Sequence, residues 1–177
     1  MRLTGNCHST AKLYRGIKFR PDIKLTMEKD TFIGDNCSIL VSELTMKRGS
    51  QICAGTVISG REPVTLEENV VIGYNCVILS SSDSPRGEFM NDASPENRRK
   101  IKQGPIILRK NCFISSLAFI GPNVTVGERT IVGIHACVID SLPSDHLFFP
   151  SQLRFHLKQR EMKRLTNINN KGKGRLT

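Results

Sequence analysis

The sequence has few of the features that mark the common globular and membrane classes. Only 6% of its 177 residues are aromatic, and tryptophan is absent. No apolar run approaches the ~18 residues that indicate a membrane-spanning helix, so the sequence predicts no membrane insertion. Residues 1–16 contain no apolar signal-peptide segment, which favours a cytoplasmic protein. A core with so few rings must be filled by aliphatic side chains.

Cysteine and histidine also lack the spacing of a metal site or of a disulfide framework. None of the six cysteines belongs to a C-x-x-C pair, and no histidine lies at zinc spacing from two of them. The sequence therefore predicts free thiols and no metal. Three of the four histidines, His8, His146 and His156, lie outside the regular pattern described below and are given no functional role.

Positive charge is concentrated at one end of the chain. The net charge is +10, and residues 151–177 hold eight Lys or Arg against the single acid Glu161, a net +7. The other 150 residues therefore carry only about +3. The basic balance belongs to the tail, and nucleic-acid binding is not expected as the main function.

An aliphatic residue recurs at every sixth position through much of the chain. The register is unbroken from Leu108 to Val138, and three shorter runs precede it, separated by slips of one and two residues. Four residues after most of these aliphatics stands a small or β-branched side chain, which gives Cys37, Cys76 and Cys112 a buried structural position. A period of six predicts short strands, three to each coil of about 18 residues. The expected fold is all-β, a left-handed parallel β-helix of hexapeptide repeats.

Two segments interrupt the period and set the expected organisation. Residues 1–26 are expected to form an irregular segment or a first partial coil, and residues 27–142 the β-helix. Residues 80–105 lose the repeat and are expected to leave the β-helix as a long excursion loop, which in a compact fold is usually functional or disordered. Residues 143–177 are expected to form an extension with a short basic helix and a disordered tail.

The stretch Gly104–Leu142 resembles the hexapeptide-repeat acyltransferases of the galactoside, maltose and capsular-polysaccharide O-acetyltransferase type. In that family it reads like P-I-x-I-G-x-x-V-W-I-G followed by G-V-x-I-G-x-x-x-V-I-G-A-G-S, and the similarity extends over about residues 27–156. The resemblance implies a homotrimer with active sites in the clefts between neighbouring β-helices. It also implies transfer of an acetyl group from acetyl-CoA to a hydroxyl or amine of a sugar or small polar acceptor.

The resemblance assigns two candidate catalytic residues. The family motif S-D-x-H is met by Ser82, Asp83, Ser84 and Pro85, so the Asp is retained and the histidine base is missing. Asp83 is a weak base at its ordinary pKa of about 3.9 unless burial raises it. His135 falls at a corner where family members contact the cofactor, as a base or as a donor to the thioester carbonyl.

The candidate cofactor-binding residues include several departures from the family. Phe113 replaces a Trp, Asp140 replaces a Lys, and the A-G-S next to the thioester becomes Ile134, His135 and Ala136, which puts larger side chains beside a pantetheine arm. Arg154 retains its family position, whereas Lys158 matches no motif. The cofactor-binding set is Asn75, Phe113, Ser116, Ala136, Arg154 and Lys158.

Three functions remain open at the level of sequence. The first is an acetyltransferase, supported by the excursion loop in the family's place. The second is a catalytically inactive trimeric β-helix that serves as a scaffold, supported by the lost His and Lys. The third is an anionic-surface binder that acts through the basic tail. Binding of acetyl-CoA separates the first two readings, since both predict a homotrimer.

Overall fold

The computed structural model describes residues 5–150, which form twenty short strands, eighteen of them in a stack of triangular coils and two in a separate hairpin. Sheet 1 contains β1 (Lys12–Leu13), β4 (Phe32–Ile33), β7 (Gln51–Ile52), β10 (Val71–Ile72), β15 (Phe113–Ile114), β18 (Ile131–Val132) and β20 (Leu147–Phe148). Sheet 2 contains β2 (Lys18–Phe19), β5 (Ser38–Leu40), β8 (Val57–Ser59), β11 (Val77–Leu79), β16 (Phe119–Ile120) and β19 (Cys137–Val138). Sheet 3 contains β3 (Lys24–Met27), β6 (Glu43–Met46), β9 (Val64–Leu66), β14 (Ile106–Leu108) and β17 (Thr125–Val126).

Within these three sheets, consecutive strands lie in different sheets, and each strand pairs in parallel with its equivalents in the adjacent coils. Ile72, for example, is in register with Ile52 in the preceding coil and with Ile114 in the following one. The hexad aliphatics therefore form three internal ladders, and those from Ile33 to Val138 are at most 1% exposed. Because alternate residues of a strand point to opposite faces, their neighbours face outward. The predicted parallel β-helix is confirmed.

Left-handed backbone turns link the sheets. At the corner between sheets 1 and 2, a residue with φ between 52° and 74° recurs as Asn36, Gly55, Asn75, Leu117 and His135. Asn and Gly tolerate this region, and they occupy the first three of these positions. The small residues that follow each corner point into the core, and Thr56 there donates from Oγ1 to the carbonyl of Gly73 at 2.9 Å.

The excursion is a hairpin at the corner between sheets 2 and 3. It leaves after β11, and its two strands, β12 (Ser81–Asp83) and β13 (Ile101–Gln103), pair antiparallel before the chain rejoins at β14. The 3₁₀ turn Glu96–Arg98 lies between the two strands. No residue from Ser81 to Gln103 is buried, so polar contacts rather than a core hold this hairpin.

Strands of the β-helix also lie outside the expected range of residues 27–142. β1 and β2 pair with β4 and β5, and β20 pairs with β18, so the stack includes Lys12 at one end and Phe148 at the other. Leu13 and Phe19, six residues apart, lie in register with the hexad aliphatics Ile33 and Ile39, which gives residues 1–26 the partial coil that the sequence offered as one alternative. A two-residue slip before Met27 separates this pair from the next hexad run. The expected basic helix and tail lie outside the described residues. Within the described residues, no helix is long and apolar enough to cross a membrane.

Candidate active site

Extra residues at the corner between sheets 2 and 3 open a polar cleft at the foot of the excursion hairpin. The one- and two-residue slips of the hexad period fall after Ile39 and Ile58, between β5 and β6 and between β8 and β9. The excursion leaves from the same corner one coil later. The cleft has a volume of about 340 Å³ and is lined by Leu40, Ser59, Gly60, Arg61, Ser81, Ser82, Asp83, Asp92, Arg99 and Ile101.

Backbone geometry fixes the floor of this cleft. Gly60 has a φ of +132°, and a Cβ there would lie 2.3 Å from Oγ of Ser80. A side chain at this position would therefore meet both backbone strain and a collision. Ser81 accepts a hydrogen bond at Oγ from the backbone N–H of Arg61 at 3.1 Å, which ties the hairpin to the coil before it.

Asp83 is held by Arg99 across the two hairpin strands. Nε of Arg99 donates to Oδ1 at 2.8 Å and Nη2 donates to Oδ2 at 2.6 Å, a bidentate ion pair. The Asp83 side chain is 21% exposed and that of Arg99 only 7%. The hydrogen bonds from Arg99, assisted by its charge and opposed by partial burial, hold the pKa of Asp83 below its usual value. Asp83 is therefore ionised at neutral pH and is a poor proton acceptor.

A second carboxylate of the cleft shares the same guanidinium. Nη2 of Arg99 also donates to Oδ1 of Asp92 at 2.7 Å, while the Asp92 side chain is 94% exposed. A second cation, Arg61, comes from the preceding coil and pairs with Glu96 of the excursion. The charged side chains of the cleft are thus two carboxylates and two guanidiniums.

Four of the predicted residues lie instead around the corner between sheets 1 and 2. Asn75 and His135 occupy its left-handed turn positions in the coils of β10 and β18 and are exposed. Ser116, in the coil between them, accepts a hydrogen bond at Oγ from the N–H of Tyr74 at 3.1 Å. Ala136 follows His135 but is only 1% exposed, so its side chain faces the core rather than a cofactor.

The structure does not bring the two catalytic candidates together within one chain. Asp83 stands at the corner between sheets 2 and 3 and His135 at the corner between sheets 1 and 2, so the width of sheet 2 separates them. Phe113 points outward from sheet 1 with 41% of its surface exposed. Arg154 and Lys158 lie outside the described residues. No group of three His, Cys, Asp or Glu among the residues that the structure describes is placed to hold a metal ion.

Arg61, Asp92 and Arg99 are cleft residues that the sequence did not reveal as site residues. The signal for Arg61 was available, because the two-residue slip that follows Ile58 marks the corner where it stands. Asp92 and Arg99 lie in an aperiodic stretch, and their pairing becomes apparent only when the hairpin is formed.

Comparisons with known proteins agree with this architecture. No protein-family model matches the sequence. The chain is 26% identical over 135 residues to WcaF of Escherichia coli (strain K12), which is provisionally named as a colanic acid biosynthesis acetyltransferase, and equally to WcaF of Shigella flexneri. The match covers 76% of this chain and 62% of each relative, so the chain spans about three-fifths of the length of the curated relatives it matches.

Solved structures show the same fold. A variant of AntD, an N-acyltransferase from Bacillus cereus in complex with dTDP-4-amino-4,6-dideoxyglucose and coenzyme A, superposes with a TM-score of 0.68 at 21% identity, covering 90% of both chains. The hexapeptide-repeat acetyltransferase VCA0836 of Vibrio cholerae O1 biovar eltor, in complex with acetyl coenzyme A, superposes with a TM-score of 0.52 at 18% identity, covering 88% of this chain and 70% of its own. The chain is a left-handed β-helix protein of the hexapeptide-repeat class, similar to acetyltransferases of this architecture.

Proposed function

We propose that the protein is an acyl-CoA-dependent acyltransferase that acetylates a hydroxyl or amine of a sugar or another small polar acceptor. The observation that carries the proposal is the polar cleft at the foot of the excursion hairpin, built on a left-handed β-helix by two carboxylates and an arginine whose side chain is only 7% exposed. The name of WcaF and the ligands of AntD support a saccharide acceptor and a CoA thioester donor.

The corner between sheets 1 and 2 suits the apolar part of CoA. Tyr74 and Ile134 present exposed apolar side chains there, against which a pantetheine arm can pack. The three turns at this corner, residues 73–75, 115–117 and 133–135, contain no Lys or Arg. We therefore assign the phosphate contacts to Arg154 and Lys158, and contacts along the arm to Asn75, Phe113 and Ser116.

A homotrimer would bring the two corners into one site. The outward positions of sheet 1 are apolar in four successive coils, at Val71, Phe113, Ile131 and Leu147, whereas those of sheet 3 are mostly threonine. Contiguous exposed apolar surface of this kind marks an interaction site. Packing of this face against a neighbour would place His135 of one copy near the cleft of another, where its ring can donate a hydrogen bond to the thioester carbonyl.

Leu117 supports the same assembly. It is 44% exposed and adopts a φ of +62°, a region that costs a branched side chain about 1–2 kcal/mol and that Asn or Gly would occupy freely. Burial of its exposed apolar side chain against a partner would stabilise the assembly. The proposed partner is a second copy of the chain.

Calorimetric titration of the full chain with acetyl-CoA and with CoA tests the proposed function. One micromolar site per chain supports a transferase, and release of CoA in the presence of amino sugars and sugars, followed by mass spectrometry, would identify the acceptor. The Ile134→Ala variant is a matched comparison, since it restores the small alanine that the resembling family has at this position. Absence of binding at millimolar ligand in both proteins would make the inactive scaffold the better assignment.

A further inference from the structure

The chemistry of the cleft limits what its acceptor can be. Among the described residues of one chain, its lining contains no histidine, tyrosine or cysteine, and its acids are Asp83 and Asp92. A sugar hydroxyl keeps its proton near neutral pH, so its attack on a thioester needs a base poised near that pH. An amine carries a free lone pair once its ammonium form has lost one proton, and it needs no base of that strength.

Asp83 cannot readily serve as that base for a hydroxyl. Both of its oxygens accept hydrogen bonds from Arg99, at 2.8 and 2.6 Å, and uptake of a proton would break this bidentate pair. The ion pair also keeps the carboxylate in its charged form. Its geometry suits it to holding Arg99 in place.

Asp92 differs from Asp83 in a way that points to a ligand. Only its Oδ1 is bound by Arg99, at 2.7 Å, while the side chain remains 94% exposed at the cleft. Arg99 itself is nearly buried, and its charge is shared between the two carboxylates. The cleft therefore presents one accessible carboxylate whose orientation is fixed by Arg99 and whose second oxygen is open to a cationic or donor-rich group.

We propose that the acceptor group is an amine, bound at Asp92 as an ammonium ion, with Arg99 as the positioning residue for that carboxylate. This inference rests on the proposed acyltransferase function. The ammonium loses one proton to solvent, and the free amine attacks the thioester carbonyl carbon. A C–N bond forms, the C–S bond breaks, and the departing CoA thiolate takes up the second nitrogen-bound proton. The products are an amide and free CoA.

Matched pairs of acceptors test the proposal. Each pair is an amino sugar and the same sugar with a hydroxyl in place of the amine, used both free and as nucleoside-diphosphate conjugates. We expect at least one amino member to show a kcat/KM about 100-fold above that of its hydroxyl partner, the range that a missing general base would cost the hydroxyl. Equal or faster transfer to the hydroxyl members, or transfer to no amino member by a protein that binds acetyl-CoA, would overturn it.

The pH dependence of kcat/KM distinguishes titration of the acceptor amine from titration of a base on the enzyme. A fluorine next to the amine lowers the pKa of the ammonium ion, so the pH of half-maximal kcat/KM should fall by the same amount with the fluorinated acceptor. A midpoint that stays fixed would assign the titration to an enzyme group, such as His135 of a neighbouring copy, and would contradict the proposal.

Direct binding of the acceptor distinguishes failure of this inference from failure of the proposed function. Titration of amino sugars without CoA should show affinity that is lost in Asp92→Asn and kept in Glu88→Gln, a hairpin carboxylate that pairs with Arg98 outside the cleft. Asp92-dependent amine binding by a protein that does not bind acetyl-CoA would reject the transferase and retain the amine site. Equal binding by both variants would reject the amine site itself.

Discussion

The Arg99 guanidinium and the Asp83 carboxylate face each other across the two strands of the excursion hairpin, joined by hydrogen bonds of 2.8 and 2.6 Å. Arg99 is the more buried partner, and the same side chain binds Asp92. One arginine therefore orders both carboxylates of the cleft. Since no residue of the hairpin is buried, the pair contributes to the shape of the site more than to the stability of the core.

Replacement of Arg99 by alanine should disorder the hairpin and leave the β-helix folded. The variant leaves two carboxylates without their shared cation, and misplacement of a site by about 1 Å can cost up to ~100-fold in rate. We expect a large loss of acyl transfer, a small change in melting temperature, and faster amide exchange across residues 84–100. Arg99→Lys should recover only part of the activity, because an ammonium cannot form the bidentate pair.

Arg98→Ala is the matched control for that experiment. Arg98 is the neighbouring hairpin arginine, but it stacks over the Phe89 ring at 4.7 Å and pairs with Glu88 rather than with the cleft acids. Its loss should leave transfer within a few-fold of wild type. Unchanged exchange in the hairpin of Arg99→Ala would show that the ion pair does not order it.

The hairpin should also depend on pH in the acid range. The pKa of Asp83 in the folded protein lies below the usual aspartate value of 3.8, chiefly because of the hydrogen bonds from Arg99. Its contribution to folding is therefore fully present above pH 3.8 and is lost as the pH falls through the depressed pKa. Carbon-detected NMR titration of the Asp83 carboxyl should show a midpoint below 3.8, and a midpoint at or above 3.8 would contradict the ion pair.

The repeat allowed the fold and part of the site geometry to be predicted from sequence. Each coil contains three hexads, so every third hexad aliphatic falls in the same sheet. This assigns Ile72 and Val132 to one sheet and Ile78 and Val138 to the next, which places His135 before sheet 2. The same count places the excursion, and with it Asp83, after sheet 2. The separation of these two residues was therefore implicit in the register, although matching them to family motifs placed both in one site.

The contacts of Arg99 could not be obtained in this way. A strict period fixes which positions share a ladder, but residues 84–100 have no period, and their arrangement depends on a hairpin and its ion pairs. From the sequence alone, any of the three consecutive basic residues Arg98, Arg99 and Lys100 could be the partner of Asp83. Only the antiparallel pairing of β12 with β13 selects Arg99 as the partner of Asp83.

The reactivity of each cysteine thiol should depend on whether its side chain points into the core of the β-helix or out to solvent. Burial raises the pKa of Cys112 to about 12, and it also raises the pKa of Cys37 and Cys76. Cys7 and Cys137 are exposed. Maleimide at pH 8, followed by peptide mass spectrometry, should modify the two exposed thiols in the native protein and the three buried ones only after unfolding. Native labelling of Cys112 would contradict the described register.

The corner residue Leu117 offers a test of assembly, because one substitution there should weaken the association of copies and stabilise the separated chain. Leu117→Asn removes the exposed apolar side chain and places a residue that tolerates a φ of +62° at the same turn. If a second copy covers this corner, the variant should dissociate at concentrations where the wild type is trimeric. Relief of backbone strain should at the same time raise the free energy of unfolding of the separated chain by about 1 kcal/mol.

Light scattering after size-exclusion chromatography and urea unfolding at low protein concentration measure these two effects. Thr65→Asn, at an outward position of sheet 3, is the control, and it should change neither the assembly nor the strain. Phe113→Glu should also dissociate the assembly, but without the gain in chain stability, because Phe113 lies in a strand with ordinary backbone geometry. A Leu117→Asn protein that remains as associated as the wild type would place the contact between copies elsewhere on the β-helix.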